Sequence, residues 1–209
     1  MKIFLTGARG DIGKAIKKEL ENNSIEVISP NSDELDLSLP IDINNIEVDG
    51  LIHCAGINFP KPYNKIKDDE LKKLFNINTF SFLELIKQLR FKNGSNIIAI
   101  GSIYSTGTND GRCEYVMSKH ALYGAVKTLA LELSKRKIKV NLVSPGFVET
   151  KLTMQNNMKE RIFYLKNTIP LGITKATSIA KFCKFLVSDN VDITGQNIII
   201  DGGYSLRGI

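Results

Sequence analysis

The chain has 209 residues, 43% hydrophobic and 24% charged, a balance that fits one globular domain and excludes disorder, a collagen-like fibre or a disulfide scaffold as a description of the whole. The formal net charge is +6. The basic residues are scattered, and no aromatic–basic RNA motif appears, so the excess reads as solvated surface plus an anion-binding site and not as a nucleic-acid groove.

Lys2–Thr6 is predicted as a strand, followed by a helix over Asp11–Asn22 with Ile12, Ala15, Ile16 and Leu20 at helical spacing. Ile25–Ser29 and Glu34–Leu37 read as the second and third strands, and Gly50–Cys54 as the fourth. A helix is expected over Asp68–Arg90, a buried strand over Asn96–Gly101 and a long helix over Tyr115–Lys135. Lys139–Val143, Ala176–Ser188 and Gln196–Ile200 read as strand, helix and strand. Strands alternating with helices imply β-α-β units: a single-domain α/β fold with a doubly wound parallel sheet, the Rossmann architecture. Ligands then bind at the carboxyl ends of the strands.

The loop Thr6-Gly7-Ala8-Arg9-Gly10-Asp11-Ile12-Gly13 joins the first strand to the first helix. Glycines at 7, 10 and 13 suit a tight turn, close backbone approach to a pyrophosphate and close helix–strand packing. The helix N-terminus adds free N–H groups and partial positive charge. Dinucleotide binding is the reading; a P-loop is excluded, because no Gly-Lys-Ser/Thr ending is present.

Tyr115 and Lys119 share a helix face at i and i+4. The same spacing recurs at Tyr63/Lys67 and Tyr123/Lys127. Only the 115/119 pair has a serine just after a strand upstream, Ser102, 13 residues before the tyrosine. Reducing a carbonyl by hydride requires a proton donor to the developing alkoxide, and oxidising an alcohol requires a base. A tyrosine beside an ammonium can do either, and a serine hydroxyl can hold the substrate oxygen.

These motifs resemble the short-chain dehydrogenase/reductase family over essentially the whole chain. The matching pieces are TGARGDIG (6–13), Asp36-Leu37, HCAG (53–56) where the family has NNAG, Asn78 in LFNINTF, Gly101-Ser102, YVMSK (115–119), SPGFVET (144–150) and DGG (201–203). The second half is most similar to 3-oxoacyl-carrier-protein reductases. The resemblance implies an NAD(P)(H)-dependent enzyme. Tyr115 would be the acid/base. Lys119 would bind the nicotinamide ribose and lower the Tyr115 pKa. Ser102 would orient the substrate, and Asn78 would anchor a water in the proton relay. Asp36 and Leu37 would contact the adenine, and Cys54, Ala55 and Gly56 would line the cofactor groove with the glycine loop. Pro145, Gly146, Val148 and Thr150 would hold the carboxamide and a nearby phosphate. It also implies a homodimer or homotetramer, with the Asp68–Arg90 and Tyr115–Lys135 helices pairing across a two-fold axis and the 202–209 end completing a tetramer.

Two departures stand out. The glycines follow TGxxGxxG, with Asp11 where TGxxxGxG has its middle glycine; that spacing is similar to the extended branch of the family, many members of which act on nucleotide-linked sugars. The chain is also short between its second and third strands, so no helix is expected between Ser29 and Glu34. The end of the second strand carries Ser29 where an acidic residue would repel a 2′-phosphate. With Arg9 in the glycine loop, NADP(H) is favoured over NAD(H), although Asp33 is close enough in sequence to act as the acidic partner.

His53 reads as a packed, hydrogen-bonded residue, His120 as helix surface and Cys113 as a buried inert thiol. The three cysteines, Cys54, Cys113 and Cys183, form no CxxC pair, so reduced thiols, no metal and a cytoplasmic location are expected. No signal peptide and no membrane partner are expected. The segment 151–170 reads as a substrate lid, either a cover for an anionic substrate or a plain amphipathic helix with a basic face. The polar loop 103–114 would border the substrate. The reading is carbonyl/secondary-alcohol interconversion on a small-molecule substrate, such as a 3-oxoacyl thioester or a nucleotide-linked sugar. The alternatives are a dinucleotide-sensing binding protein without turnover, an epimerase or dehydratase using transient oxidation, and a nucleic-acid-associated protein suggested by charge alone.

Overall fold

The computed structural model describes residues 1–43, 45–151, 153 and 159–207, the side chains of 159, 161 and 207 excepted. Six strands form one all-parallel sheet: β1 (Lys2–Thr6), β2 (Glu26–Ile28), β3 (Glu47–His53), β4 (Arg90–Ile100), β5 (Lys139–Pro145) and β6 (Asn197–Ile200). Their order is β2-β1-β3-β4-β5-β6. The chain winds outward from β1 to β2, then returns to β3 on the other side, so the order reverses between β1 and β3. That switch point is where a doubly wound sheet opens a ligand crevice.

Successive strand side chains point to opposite faces, so each apolar run feeds two cores. Phe4, Leu51, Ile97, Ala99, Val140 and Leu142 face α3 (Ser81–Gln88) and α4 (Cys113–Glu132), where Phe82, Leu85, Leu122 and Val126 meet them. Ile3, Leu5, Ile52, Ile98 and Val143 face α1 (Asp11–Asn22) and α6 (Ala176–Ser188), against Ile16, Leu20, Ile179 and Leu186. Each fully buried side chain of this kind contributes roughly 1.5–3 kcal/mol.

The expected long helix over Asp68–Arg90 is three pieces: α2 (Asp68–Phe75), a π turn (Asn76–Phe80) and α3. The extra residue of the π turn brings both Asn78 and Thr79 into the interior. The helix stops at Gln88 because Arg90 begins β4. α5 (Lys159–Thr168) lies in the expected lid, whose Leu152, Met154 and Met158 are outside the described residues, as is the chain end at 208–209. No helix among the described residues is long and apolar enough to cross a membrane.

As expected, no helix forms between Ser29 and Glu34. The third strand expected over Glu34–Leu37 is also absent, and residues 29–43, 45 and 46 are turns and irregular chain. Side chains compete there for the backbone amides. Asn31 Oδ1 accepts Asp33 N at 2.8 Å, Glu34 Oε2 accepts Asn31 N at 2.8 Å, and Asp36 Oδ1 accepts Ser38 N at 2.8 Å. Such local bonds favour turns over a ladder. The apolar residues of the segment are nevertheless used: Leu35, Leu37, Ile41, Ile43 and Ile46 pack on the α3/α4 core. Gln88 pins the segment, donating to Ile41 O at 2.6 Å and accepting Ile43 N at 3.0 Å. Asn76 donates to Ser38 O at 2.9 Å. Replacing Gln88 by Ala should therefore lower the urea midpoint by the equivalent of about 1–3 kcal/mol at unchanged m-value. An unmoved midpoint would show that the segment is held elsewhere.

Candidate active site

The site begins where β1 ends. Gly7 has φ +71°, and a Cβ there would lie 2.6 Å from Ala55 N, so no side chain fits between the chains leaving β1 and β3. A Cβ on Gly13 would lie 2.1 Å from Gly7 O, which brings α1 tight against the loop. Gly10 differs, since a Cβ there would touch only Gly7 O at 3.4 Å. Its bareness matters for what approaches from outside.

Thr6 and His53 lock the two strand ends. Thr6 Oγ1 accepts Cys54 N and Ala55 N, each at 3.1 Å, and lies 3.0 Å from His53 Nδ1. His53 Nε2 lies 3.2 Å from Ile77 O. The tautomer consistent with all four contacts has the threonine donating to Nδ1 and Nε2–H donating to the carbonyl. His53 is fully buried, which pushes its pKa down to about 3. It is the packed, hydrogen-bonded residue that the sequence suggested.

A cavity of about 430 Å³ opens at the carboxyl ends of the strands. Gly7, Gly10, Asp11, Ile12 and Gly13 line one side, and Ser102, Tyr115 and Lys119 the other. Cys54, Gly56, Pro145, Gly146, Val148 and Thr150 complete it. A second lobe of about 290 Å³ shares Gly7, Arg9, Gly10, Cys54, Gly56 and Ile57 with the first. Asp36, Leu37 and Ala55 line this lobe. Ser29 does not; its successors Pro30, Asn31 and Ser32 do. Arg9 and Asp33 pair at 3.2 Å, both exposed.

Asp11, out of place for the commonest glycine pattern, accepts Lys151 N at 2.6 Å and so ties α1 to the base of the expected lid. Behind the cavity, Asn78 is fully buried. Its Oδ1 accepts Ile57 N at 2.8 Å, and its Nδ2 donates to Ile57 O at 3.0 Å and Ser118 Oγ at 3.1 Å. Gly56 faces Asn78 Oδ1 and Lys119 Nζ together. Gly146 packs on Asp201, whose carboxylate accepts Gly203 N and Ser205 N at 2.8 and 2.7 Å.

Ser102 hydrogen-bonds the Tyr115 phenol and accepts Tyr104 N at 3.2 Å. Lys119 donates to Ile100 O at 2.8 Å, and its Nζ sits 5.6 Å from the Tyr115 ring centroid. Burial pulls the ammonium down to about 8. Burial also pushes the Tyr115 phenol up to about 12, against the pull of Ser102 and Arg112. Lys119 was expected to lower this pKa. In the structure the cation that does so is Arg112.

Cys54 is a half-buried thiol on the cavity wall whose desolvation pushes it up to about 12. Cys113 is exposed, contrary to expectation, and its Sγ faces Met117 Sδ at 3.9 Å. All three cysteines are free. No cluster of metal-ligating residues occurs among the described residues. Sequence reasoning missed Asn58 and Ile77 as lining residues and gave Arg112 only a place in the polar loop expected to border the substrate. None of the three belongs to a spacing pattern.

The lining suits a dinucleotide. Arg9, Lys14, Arg112, Lys119 and Lys151 face the larger lobe against the one lining carboxylate, Asp11. The first-turn amides of α1 have no helical acceptor, so they can receive phosphate oxygens beside the bare Gly10.

Fold and site together define a dinucleotide-binding α/β protein of the oxidoreductase type, and comparison with known proteins makes this specific. The family model described as enoyl-(acyl carrier protein) reductase matches residues 44–205. The 3-oxoacyl-[acyl-carrier-protein] reductase FabG of Salmonella typhimurium is 32% identical, over 96% of this chain and 95% of its own length. A short-chain dehydrogenase family protein from Francisella tularensis superposes with TM-score 0.85 at 29% identity, over 98% of each chain. A 4-hydroxyisoleucine dehydrogenase mutant, solved with NADH and succinate, gives 0.86 at 27% identity over 99% of each chain. The chain belongs to the short-chain dehydrogenase/reductase family of NAD(P)-dependent oxidoreductases.

The buried neutral His53 gives a pH test. Below the ordinary histidine pKa the unfolded chain takes up a proton that the folded chain refuses. Stability is therefore full above about pH 6.5 and is lost as pH falls toward 3, by on the order of 4 kcal/mol. Urea titrations at pH 7, 5 and 4 should show this loss, and His53→Asn, which keeps a donor and an acceptor, should flatten it. Parallel curves for the two proteins would show that other groups govern acid unfolding.

Proposed function

We propose that the protein is an NAD(P)(H)-dependent oxidoreductase interconverting a carbonyl and a secondary alcohol. The observation that carries the reading is the convergence of Ser102, Tyr115 and Lys119 on one cavity continuous with the glycine loop. Bound NAD(P)H would supply the hydride. Gly7, Gly10, Asp11, Ile12 and Gly13 hold its pyrophosphate side, and Asp36, Leu37 and Ala55 its adenosine side. Cys54 and Gly56 line the middle, and Pro145, Gly146, Val148 and Thr150 the nicotinamide end.

Ser102 holds the substrate oxygen beside Tyr115, which gives up its phenolic proton as charge develops there. A phenol at about 12 is protonated throughout the neutral range, so it can act as the acid when a carbonyl is reduced. Lys119 holds the nicotinamide ribose, and Asn78 anchors the water that re-supplies the proton. NADP(H) is the proposed preference, supported by Arg9 at the adenosine lobe and by the uncharged Asn31 and Ser32 that line it after β2. The names of the relatives support a 3-oxoacyl substrate. The TGxxGxxG spacing supports a nucleotide-linked sugar. Segment 151–170 is the proposed substrate cover. Exposed Phe80, Leu83, Met117 and Leu131 support assembly of copies through the π turn, α3 and α4.

The test pairs binding with turnover. NADPH should raise the thermal midpoint more than NADH does, and Arg9→Ala should cost about tenfold in NADPH affinity with NADH little changed. Tyr115→Phe should keep the dinucleotide shift and lose about 10²–10⁴ in kcat on any carbonyl the enzyme reduces. Lys119→Ala should weaken both. With the native chain, kcat/KM for reduction should be flat through neutral pH and fall above about 8 as Lys119 loses its proton. Failure of both dinucleotides to shift the midpoint, or full activity of Tyr115→Phe, would overturn the reading.

A further inference from the structure

We infer that the substrate carries a free carboxylate beside the reacting carbonyl and that Arg112 binds it; the inference rests on the oxidoreductase reading above. Arg112 lines the same cavity as Ser102 and Tyr115 and is the residue that caps the N-terminus of α4. It is half-buried, and no carboxylate among the described residues lies within ion-pairing distance of it. A guanidinium facing a cavity with no carboxylate beside it is free to pair with an incoming anion.

The other cations lining the cavity have different commitments. Lys119 donates to Ile100 O. Arg9 pairs with Asp33. Lys14 and Lys151 belong to the end where α1 and Asp11 meet the base of the lid. Arg112 shares the Ser102–Tyr115 end with Lys119, whose ammonium is already engaged by Ile100 O, so Arg112 is the cation there left to meet a substrate anion.

Neutral donors accompany it. Tyr104 Oη accepts Asn109 Nδ2 at 2.9 Å, which leaves its own hydrogen to donate. Asn58 lines the same cavity, with its Oδ1 buried and without a hydrogen-bond partner. A guanidinium with hydroxyl and amide donors matches the planar, two-oxygen face of a carboxylate. A thioester or a sugar hydroxyl presents no charge to balance it. Space agrees: about 430 Å³ that must also admit the nicotinamide half of a dinucleotide leaves room for a short acid.

The substrate class is therefore a short 2- or 3-oxo acid and its hydroxy acid. In reduction, hydride from NAD(P)H forms the new C–H bond at the carbonyl carbon. The π electrons move to oxygen, which takes the proton of Tyr115 Oη. NAD(P)H leaves as NAD(P)⁺, and the carboxylate stays unchanged on Arg112.

The experiment compares 2-oxobutanoate and 3-oxobutanoate with their methyl esters and with the N-acetylcysteamine thioester of 3-oxobutanoate, in the native protein and in Arg112→Gln and Arg112→Lys. The native protein should favour an acid over its ester by about 100-fold in kcat/KM, and Arg112→Gln should abolish that preference. Both substrates will share a smaller loss that acts through Tyr115; the excess loss on the acid reports the carboxylate contact. Arg112→Lys should restore part of it. As a readout independent of turnover, the hydroxy acid with NAD(P)⁺ should raise the thermal midpoint of the native protein and not of Arg112→Gln. Equal use of ester, thioester and acid, or equal losses on all three in Arg112→Gln, would overturn the proposal while leaving the oxidoreductase reading intact. Absence of dinucleotide binding would overturn both.

Discussion

The chain leaving β1 passes the chain leaving β3 with no room for a side chain between them, and the whole ligand end of the sheet is arranged around that contact. Gly7 makes the approach sterically possible, because a Cβ would fall 2.6 Å from Ala55 N. Thr6 makes it favourable by accepting the Cys54 and Ala55 amides with one hydroxyl. His53 extends the contact to Ile77 O at the π turn that carries Asn78. Asn78 in turn fixes Ile57 and Ser118, and Ser118 Oγ donates to Tyr115 O at 2.8 Å. A chain of buried polar contacts thus runs from the glycine loop to the helix bearing Tyr115. Each link is satisfied inside the protein, as a low-dielectric interior requires.

Burial governs the chemistry of the site in opposite senses. It raises the phenol and lowers the ammonium, so both groups are held nearer their neutral forms than in water. At about 8, Lys119 still carries most of its charge at neutral pH, and its Nζ donates to Ile100 O. The positive field that remains comes from residues of separate elements: Arg9 and Lys14 around the start of α1, Arg112 before α4 and Lys151 after β5. These residues lie far apart in the sequence and meet only in the fold.

Much of this was legible. The bounds of α1 and α6 follow from apolar spacing alone, because each helix buries one stripe against the other and against the sheet. The Tyr115/Lys119 pair was separable from two equally spaced decoys only through its context, a strand and a serine upstream. The third strand was misread because Leu35 and Leu37 alternate like strand residues. Their burial is real, but hydrogen-bonding side chains at Asn31, Glu34 and Asp36 decide the backbone. Apolar alternation reports which way side chains face and is silent on where the amides go. Arg112 and Asn58 left no trace in spacing, since a single polar residue in a loop acquires meaning only from the cavity it lines.

The loss of a strand beyond β2 also changes how the molecule meets its neighbours in a crowded solution. β2 is the outermost strand on that side and is only three residues long, paired along Lys2–Phe4. A long, flat outer strand offers a ladder of unpaired amides and carbonyls on which another chain can grow. Three residues offer almost none, and Pro30 follows at once with no amide hydrogen to give. The turns that replace a further strand beyond β2 therefore also protect this edge of the sheet against edge-to-edge aggregation.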